Sequence, residues 1–492
     1  MVASVVRPHP LYQQLSEEFS TLIQRGQLKT GERLPSVRRL AAQRQVSLST
    51  ALQALRTLEN CGLVEARPQS GYFVRQRAPQ LAEPMVSRPP RSAGYVGITG
   101  MVAKVREAAQ DPKIVPLGTA SPAPELFPAQ RLQRLFSSVI RRRPLALTTY
   151  GFSSGNAAFR HELARRYLER GVNLAERELV ITHGCTEAVG LALRAVTAAG
   201  DTIALESPSF YGTLQTIESL KLKVIEIPTH PREGMSLEAL EVVLRHHDIK
   251  AVVVMANVSN PLGSIMPTER KQKLVAMTET CGIPLIEDDI YGDLAFDQPR
   301  PLPLKAFERE GGVMLCSSFS KTLAPGLRIG WIAPGKHLAK IEILKFINTL
   351  TTPEVPQVAL ALYLAAGGYD HHLRKVKPAF AQQVRQMTDA VTASFPEGTR
   401  VTRPLGGFVV RAELPGDIDT MRLYDDAVAQ GFSFAPGRIF SASERYRNCL
   451  RLSCGHPWSP EREQAIVKLG RLIATHARRR STVAKSVTAP SR

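Results

Sequence analysis

Apolar strands that end in chemically distinctive polar residues recur through the middle of this 492-residue chain, and they restrict it to an open α/β sheet that binds ligands at the strands' C-terminal ends. The run from Val313 to Ser317 delivers Lys321, in SSFSKTLAPGLRIGW (residues 317–331), to the loop that follows it. A buried amine with a lowered pKa condenses readily with an aldehyde. Ser318, Ser320 and Arg328 stand around it with donors suited to a phosphate. Taken alone, the segment also reads as a solvated lysine in a serine-rich turn, since lysines are seldom buried.

Other strand ends carry what that chemistry needs. DTIALESPSFYG (201–212) reads as a buried strand followed by a loop bearing Phe210, whose face can stack on a pyridine ring. Asn260 follows the strand AVVVMA, and Asp288 and Tyr291 follow PLIE. A carboxylate beside a pyridine nitrogen keeps it protonated, so that the ring accepts electrons, and an amide and a phenol can hold a phenolic oxygen. In ELVITHGCTEAVGLAL a strand gives way at Gly184, Cys185 and Thr186 to a helix, whose free N–H groups and Thr hydroxyl face an anion. Singly, an acidic strand end reads as a capped turn and Asn-Pro-x-Gly as an ordinary one. In this order along one chain they predict a pyridoxal 5′-phosphate site.

Together these motifs resemble the fold-type I aminotransferases, over about residues 113–476. The resemblance implies a mainly parallel sheet plus a smaller C-terminal α/β domain, with Lys321 as the catalytic lysine that links to the cofactor aldehyde. It puts Asp288 at the pyridine nitrogen, Asn260 and Tyr291 on the ring oxygen, and Phe210 on the ring face. It gives the phosphate to Cys185, Thr186, Ser318, Ser320 and Arg328, with Tyr150 of TYGFSSGNAAFR reaching the phosphate in a partner subunit's site, which implies a homodimer. Arg451, in NCLRLSCGH, takes a substrate α-carboxylate in a bidentate fork. Cys185 departs from the more common Ser or Gly, and a thiol is the weaker donor.

Residues 10–77 have a different organisation. Leu11, Leu15, Phe19, Leu22 and Ile23 recur at helical spacing until Gly26 and Gly31 break the pattern. Ser36 is an expected N-cap of a short helix to about Gln43, and Ser47 of a third helix ended by Gly62. LVEARPQSGYFV then reads as two short strands around Pro68 to Gly71. Helix, helix-turn-helix and β-wing make a winged helix. The stretch resembles the GntR family of bacterial transcription regulators, whose LPS-x-R-x-LA and V-S-x-x-T patterns recur from Leu34 to Thr50. That resemblance implies that Ser47, Leu48, Ser49 and Thr50 start a recognition helix in the DNA major groove, that Arg38 and Arg44 hold phosphates, and that a wing including Arg67 and Gly71 lies along the backbone. Leu48 stands where the family often has a basic residue, and Gln69 where the wing usually has a glycine; Leu48 offers only apolar contact, for example to a thymine methyl.

A GntR winged helix joined to an aminotransferase-like domain is the arrangement of the MocR-type regulators, which the whole chain resembles. Residues 78–112, with Pro79, Pro84, Pro89 and Pro90 and no sustained period, read as a tether between the two. The net charge of +19 favours a polyanionic partner. Part of it lies in Arg141 to Arg143 and in residues 477–492, a basic segment expected to be poorly structured. No Cys pair has metal or redox spacing, His246–His247 and His371–His372 read as surface pairs, and no metal site is expected. The absence of a signal peptide or membrane-spanning run makes the cytoplasm the expected compartment. The predicted function is a DNA-binding transcription regulator that holds pyridoxal phosphate and senses an amino-acid-like effector, or the cofactor itself, at an operator in double-stranded DNA. The alternative is a working aminotransferase carrying an accessory DNA-binding domain.

Overall fold

The computed structural model describes residues 10–67, 70–75, 81–88, 92–296 and 299–487, and the chain divides into two compact units, Met1–Gln80 and Leu81–Arg492. In the first unit α1 spans Leu11–Gln24, α2 Val37–Arg44 and α3 Leu48–Asn60. Both expected N-caps form: the Arg39 N–H donates to Ser36 Oγ at 3.3 Å and the Thr50 N–H to Ser47 Oγ at 3.1 Å. Gln45, in the left-handed region at φ 50°, ends α2 and turns the chain into α3, while Gly62 at φ 66° follows α3. The strands β1 (Val64–Arg67) and β2 (Gly71–Val74) pair antiparallel with Arg67 opposite Gly71, and the Pro68 and Gln69 expected at the wing tip lie outside the described residues. Phe19, Leu34, Leu40, Leu55, Leu58, Val64 and Val74 pack into this unit's own core. Leu11, counted in the helical period, is exposed.

The second unit is built on a mostly parallel sheet. Its strands run in the order Gly94–Tyr95, Lys223–His230, Thr202–Ser207, Ile249–Val254, Leu285–Asp288, Val313–Ser318, Gly330–Ala333 and Val180–Thr182. The neighbours from Lys223–His230 to Val313–Ser318 pair parallel. A parallel strand covered on both faces reads as one continuous apolar run, which is why AVVVMA and VMLC carry no alternation. Ile203, Leu205, Val253, Ile286 and Met314 face the helices Cys185–Val196 and Tyr211–Ser219. Their neighbours Ala204, Val252, Val254, Leu285 and Val313 face Leu237–His246 and Thr268–Thr280. A smaller antiparallel sheet joins Arg400–Val401, Val409–Glu413, Cys449–Ser453 and Ala435–Pro436, against the helices Gly368–Ser394, Thr420–Ala429 and Pro460–Val487. Among the described residues no helix is long and apolar enough to cross a membrane.

Three expectations need correction. The stretch 78–112 is not a tether beyond residue 80. From Leu81 it is bonded to the second unit, Gly94–Tyr95 adds an antiparallel strand to the large sheet, and the helix Thr99–Ala108 buries Val102 and Val105. Residues 81–88 are held by residues distant in sequence, Val401, Arg403 and Glu413 among them, which local periodicity does not reveal. The segment 477–492 does not start as a loose tail either, because the last helix continues to Val487; from Arg471 to Thr488 no Gly or Pro interrupts a run rich in Ala and Arg. His372 is buried, with its Nε2 2.8 Å from the Thr322 carbonyl, so of that pair only His371 is a surface residue.

Candidate functional site

The strand ends that drew attention in the sequence converge on one pocket of about 380 Å³, lined by Cys185, Thr186, Phe210, Asn260, Asp288, Tyr291 and Lys321 together with Met255, Gly212, Thr213 and others. Lys321 lies three residues past the strand Val313–Ser318, and its Nζ donates to the Ala120 carbonyl at 2.6 Å. Burial, then the positive charges of Arg451 and Arg328, push its pKa down to about 8, with Asp288 acting in the opposite sense. Asp288 ends the strand Leu285–Asp288. Burial and Asp289 push its carboxyl up to about 6, against the Cys185 thiol, which donates to Oδ1 at 3.2 Å, the Ile290 N–H at 3.1 Å and the charge of Lys321. Burial and the neighbouring Asp288 raise the Cys185 thiol, so it acts as a neutral donor.

An anion cradle lies at the start of the helix Cys185–Val196. Arg328 donates from Nη2 to the His183 carbonyl at 2.9 Å and from Nη1 to Ser320 Oγ at 3.0 Å, and the Ser320 N–H donates to Ser318 Oγ at 3.2 Å. Gly184 sits at φ 90°, where a Cβ would stand 2.5 Å from Arg328 Nη2, so only glycine lets the guanidinium reach this helix N-terminus. Glu187 in the same first turn is neutralised by the buried Lys345, Nζ to Oε2 3.0 Å. Phe210 is tilted against Tyr211, ring centroids 4.6 Å apart, and Gly212 gives it room.

Arg451 comes from the smaller sheet and is fully buried. Its Nη1 donates to Asn260 Oδ1 at 3.0 Å, Nη2 donates to the Gly118 carbonyl, and the guanidinium lies 5.0 Å from the Phe440 ring centroid. Two buried polar atoms are left without a partner here, Arg451 Nε and the Tyr291 hydroxyl, and burial raises the pKa of that phenol. A lysine with a lowered pKa, a carboxylate, an unpartnered phenol and a guanidinium at a helix N-terminus fit the aldehyde, ring nitrogen, ring oxygen and phosphate of a pyridoxal phosphate. Tyr150 is not brought to this pocket. It is 84% exposed, and Leu145, Leu147 and Phe152 near it in sequence are exposed too.

Sequence reasoning missed the support beneath the site. Gly118 and Ala120, in a segment with no chemical signature, supply the carbonyls that hold Arg451 and Lys321. Arg300 pairs with Asp289 and, at 2.9 Å, with Asp293, and Asn257 Nδ2 donates to Asp289 Oδ1 at 2.9 Å, which fixes the 288–293 loop. The acidic run EDD was a visible signal; its distant cations were not.

On the DNA-binding unit Ser47, Leu48 and Ser49 are exposed at the start of α3, Arg38 and Arg44 on α2 and Arg67 on the wing, while Thr50 and Gly71 are half-buried. Ser47 Oγ is occupied as a cap and lies 2.7 Å from Ser49 Oγ and 2.8 Å from Thr50 Oγ1, while Leu48 is 56% exposed and Arg38 is exposed. Two expected phosphate ligands carry partners: Arg44 pairs with Glu18, and Arg67 donates to Glu65 at 2.8 Å while lying 4.4 Å over the Phe73 ring. Gly71, at φ 100°, packs against the Arg33 side chain, a residue the sequence did not single out.

Residues 130–468 match the family model for aminotransferase class I and II, and residues 11–74 that for bacterial regulatory proteins of the gntR family. The chain is 38% identical to the HTH-type transcriptional regulator YdcR of Escherichia coli (strain K12), over 94% of this chain and 98% of that protein. Among solved structures it is similar to the multiple substrate aminotransferase of Thermococcus profundus, with a TM-score of 0.71 and 28% identity over 77% of this chain and 95% of that one. It is also similar to the α-aminoadipate aminotransferase LysN of Thermus thermophilus, solved with N-(5′-phosphopyridoxyl)-L-leucine, with a TM-score of 0.70 and 27% identity over 78% and 99% of the two chains. Pocket, winged helix and relatives agree: the chain belongs to the aminotransferase class I and II family, among the MocR-type transcriptional regulators that join a gntR-family DNA-binding unit to an aminotransferase-like one.

Proposed function

We propose that this regulator works as a homodimer in the cytoplasm, holding pyridoxal 5′-phosphate in the second unit and altering its grip on an operator when an amino compound binds there. The observation that carries the reading is Lys321 lining the pocket while Arg451, from the smaller sheet, donates to the pocket-lining Asn260 and lowers the pKa of that lysine. When bound, the cofactor supplies an aldehyde that captures primary amines and a ring that draws electrons. Lys321 is the amine that holds it, Asp288 keeps a charge beside the ring nitrogen, and Asn260 and Tyr291 take the ring oxygen. The helix N-terminus at Cys185 and Thr186, with Ser318, Ser320 and Arg328, takes the phosphate, and Phe210 lies on the ring. The Tyr150 of a second copy would complete that phosphate cradle, and its exposed apolar neighbours support such an interface.

Arg451 is the anchor for an effector carboxylate, since its Asn260 and Gly118 contacts leave Nε free. An effector held by both sheets favours one placement of the smaller sheet over another, and operator affinity shifts only by its differential binding to the two placements, typically a few kcal/mol (about 1 to 3). Ser47 to Thr50 would face the major groove and Arg38, Arg44 and Arg67 the phosphates, the last two after giving up their carboxylates.

Amino acids screened against the cofactor-loaded chain should include at least one that changes operator affinity without stoichiometric keto acid. Arg451→Gln should remove that response while cofactor absorbance and basal DNA binding persist. A response to cofactor alone that ignores Arg451→Gln would make the cofactor the signal. The complete set of lysine, carboxylate and arginine favours a second reading, a transaminase. Turnover of order 1 per second, with DNA affinity indifferent to cofactor and amino acids, would establish that reading in place of ours.

A further inference from the structure

Residues 81–88 are the first described stretch after the DNA-binding unit, and most of this stretch is bonded to something distant in sequence. Four links go to the smaller sheet and its loops. The Leu81 carbonyl accepts from Arg403 Nη2 at 3.1 Å, the Ala82 carbonyl from the Val401 N–H at 2.8 Å, the Met85 N–H donates to Glu413 Oε2 at 3.0 Å, and Arg445 Nη1 donates to the Arg88 carbonyl. Two links cross to the large sheet. Glu83 Oε2 pairs with Arg232 Nε at 2.6 Å, just past the strand Lys223–His230. The Tyr446 hydroxyl lies 3.0 Å from Ser87 Oγ and 3.0 Å from Ser207 Oγ, the last residue of the strand Thr202–Ser207, and Ser207 in turn donates to Glu226 at 2.7 Å.

The second crossing reaches the pocket. Ser207 is three residues before Phe210, and between them the Ser209 N–H donates to the Phe440 carbonyl at 2.9 Å. Phe440 is the ring beneath Arg451. The ring platform and the carboxylate anchor are therefore both within a few residues of Ser207 and Tyr446, and Tyr446 touches the chain that leads back to the winged helix.

We propose that residues 81–88 form a strap that passes movement of the smaller sheet to the DNA-binding unit, with the Glu83–Arg232 pair and the Ser87–Tyr446–Ser207 chain as its two anchors on the large sheet. The inference rests on the reading that an amino ligand joined to the cofactor in the pocket places its carboxylate on Arg451. Four links make the strap follow the smaller sheet, so a shift of that sheet strains or relaxes the two crossing links and moves the start of the strap. The Glu83–Arg232 pair is partly solvated and Tyr446 offers one hydroxyl to two serines, so these links are cheap to remake, as a switching contact requires.

The test uses the full chain, loaded either with pyridoxal 5′-phosphate or with N-(5′-phosphopyridoxyl)-L-alanine, a stable conjugate whose carboxylate can reach Arg451. The DNA is an operator selected from random duplexes by the pyridoxal-phosphate form. In the unaltered chain the conjugate should change operator affinity by at least about fivefold, the low end of ordinary coupling between sites. In Tyr446→Phe/Glu83→Gln, uptake of both compounds and affinity in the pyridoxal-phosphate form should be kept, and the change should fall below about twofold. A full-sized response in that variant overturns the strap and leaves the proposed function standing. No response in the unaltered chain removes the proposed function and the strap with it. Should the double variant lose uptake, Ser87→Ala decides: it deletes only the strap's own hydroxyl, and a response undiminished by it overturns the proposal.

Discussion

The two functional regions solve opposite problems. In the pocket each reactive side chain is buried and held, with Lys321 on the Ala120 carbonyl, Asp288 on a thiol and an amide N–H, and Arg451 on Asn260. On the winged helix the corresponding residues are exposed and held by each other, Arg44 by Glu18 and Arg67 by Glu65. A pre-organised pocket shifts pKa values and selects one ligand geometry. An exposed basic surface with exchangeable partners binds a polyanion with modest cost, because surface ion pairs contribute only about 0 to 1 kcal/mol and are readily given up. Single substitutions should therefore act sharply in the pocket and gradually on the DNA face.

The largest effect is expected at Lys321. Borohydride treatment of the cofactor-loaded chain should fix a pyridoxyl group on this residue, and Lys321→Ala should abolish both the fixed label and the visible absorbance. Equal labelling of another lysine in that variant would break the comparison at its root. Asp288→Asn comes next. It removes the charge beside the ring nitrogen, a contact of about 1.5 to 3 kcal/mol when one partner is charged, so cofactor affinity should fall by about 10- to 150-fold in equilibrium dialysis.

The pH dependence sharpens the contrast. Lys321 is pushed down to about 8, so its neutral form, the one that attacks an aldehyde, grows about tenfold per pH unit up to that value and then levels off. Stopped-flow capture of pyridoxal by the cofactor-free chain should show this plateau above about pH 8, whereas an ordinary lysine keeps accelerating to about pH 10.4. A rate still rising tenfold between pH 9 and 10 would mean that burial does not tune this amine.

Much of this was legible in the sequence because the informative residues lie next to strong local signals. Lys321, Asp288 and Asn260 each follow an apolar run that could only be a buried parallel strand, and Ser36 and Ser47 each precede a helical period as caps. What escaped depends on partners far along the chain. Residues 81–88 look like a proline-broken linker until Val401, Arg403 and Glu413 are beside them, and Glu18 is 26 residues from the Arg44 it neutralises. His372 was misjudged for the same reason, since its charged sequence neighbours say nothing about the Thr322 carbonyl that receives it. Local pattern fixes the element and its cap; it does not report which distant group satisfies a side chain.

The smallest effects belong to the DNA face, and two substitutions there separate charge from readout. Arg38 is exposed at the start of α2, so Arg38→Ala should weaken all duplexes alike and lower the slope of log affinity against log salt by about one, as loss of one phosphate contact does. Leu48 is 56% exposed at the first position of α3 and contributes little to the core, so Leu48→Ala should leave thermal stability and the salt slope unchanged. Its expected signature is narrower: a change in preference between thymine and cytosine at one operator position, worth less than the 1 to 3 kcal/mol or so of a good bidentate base contact. A uniform loss over all sequences on Leu48→Ala would place this residue in packing instead of readout.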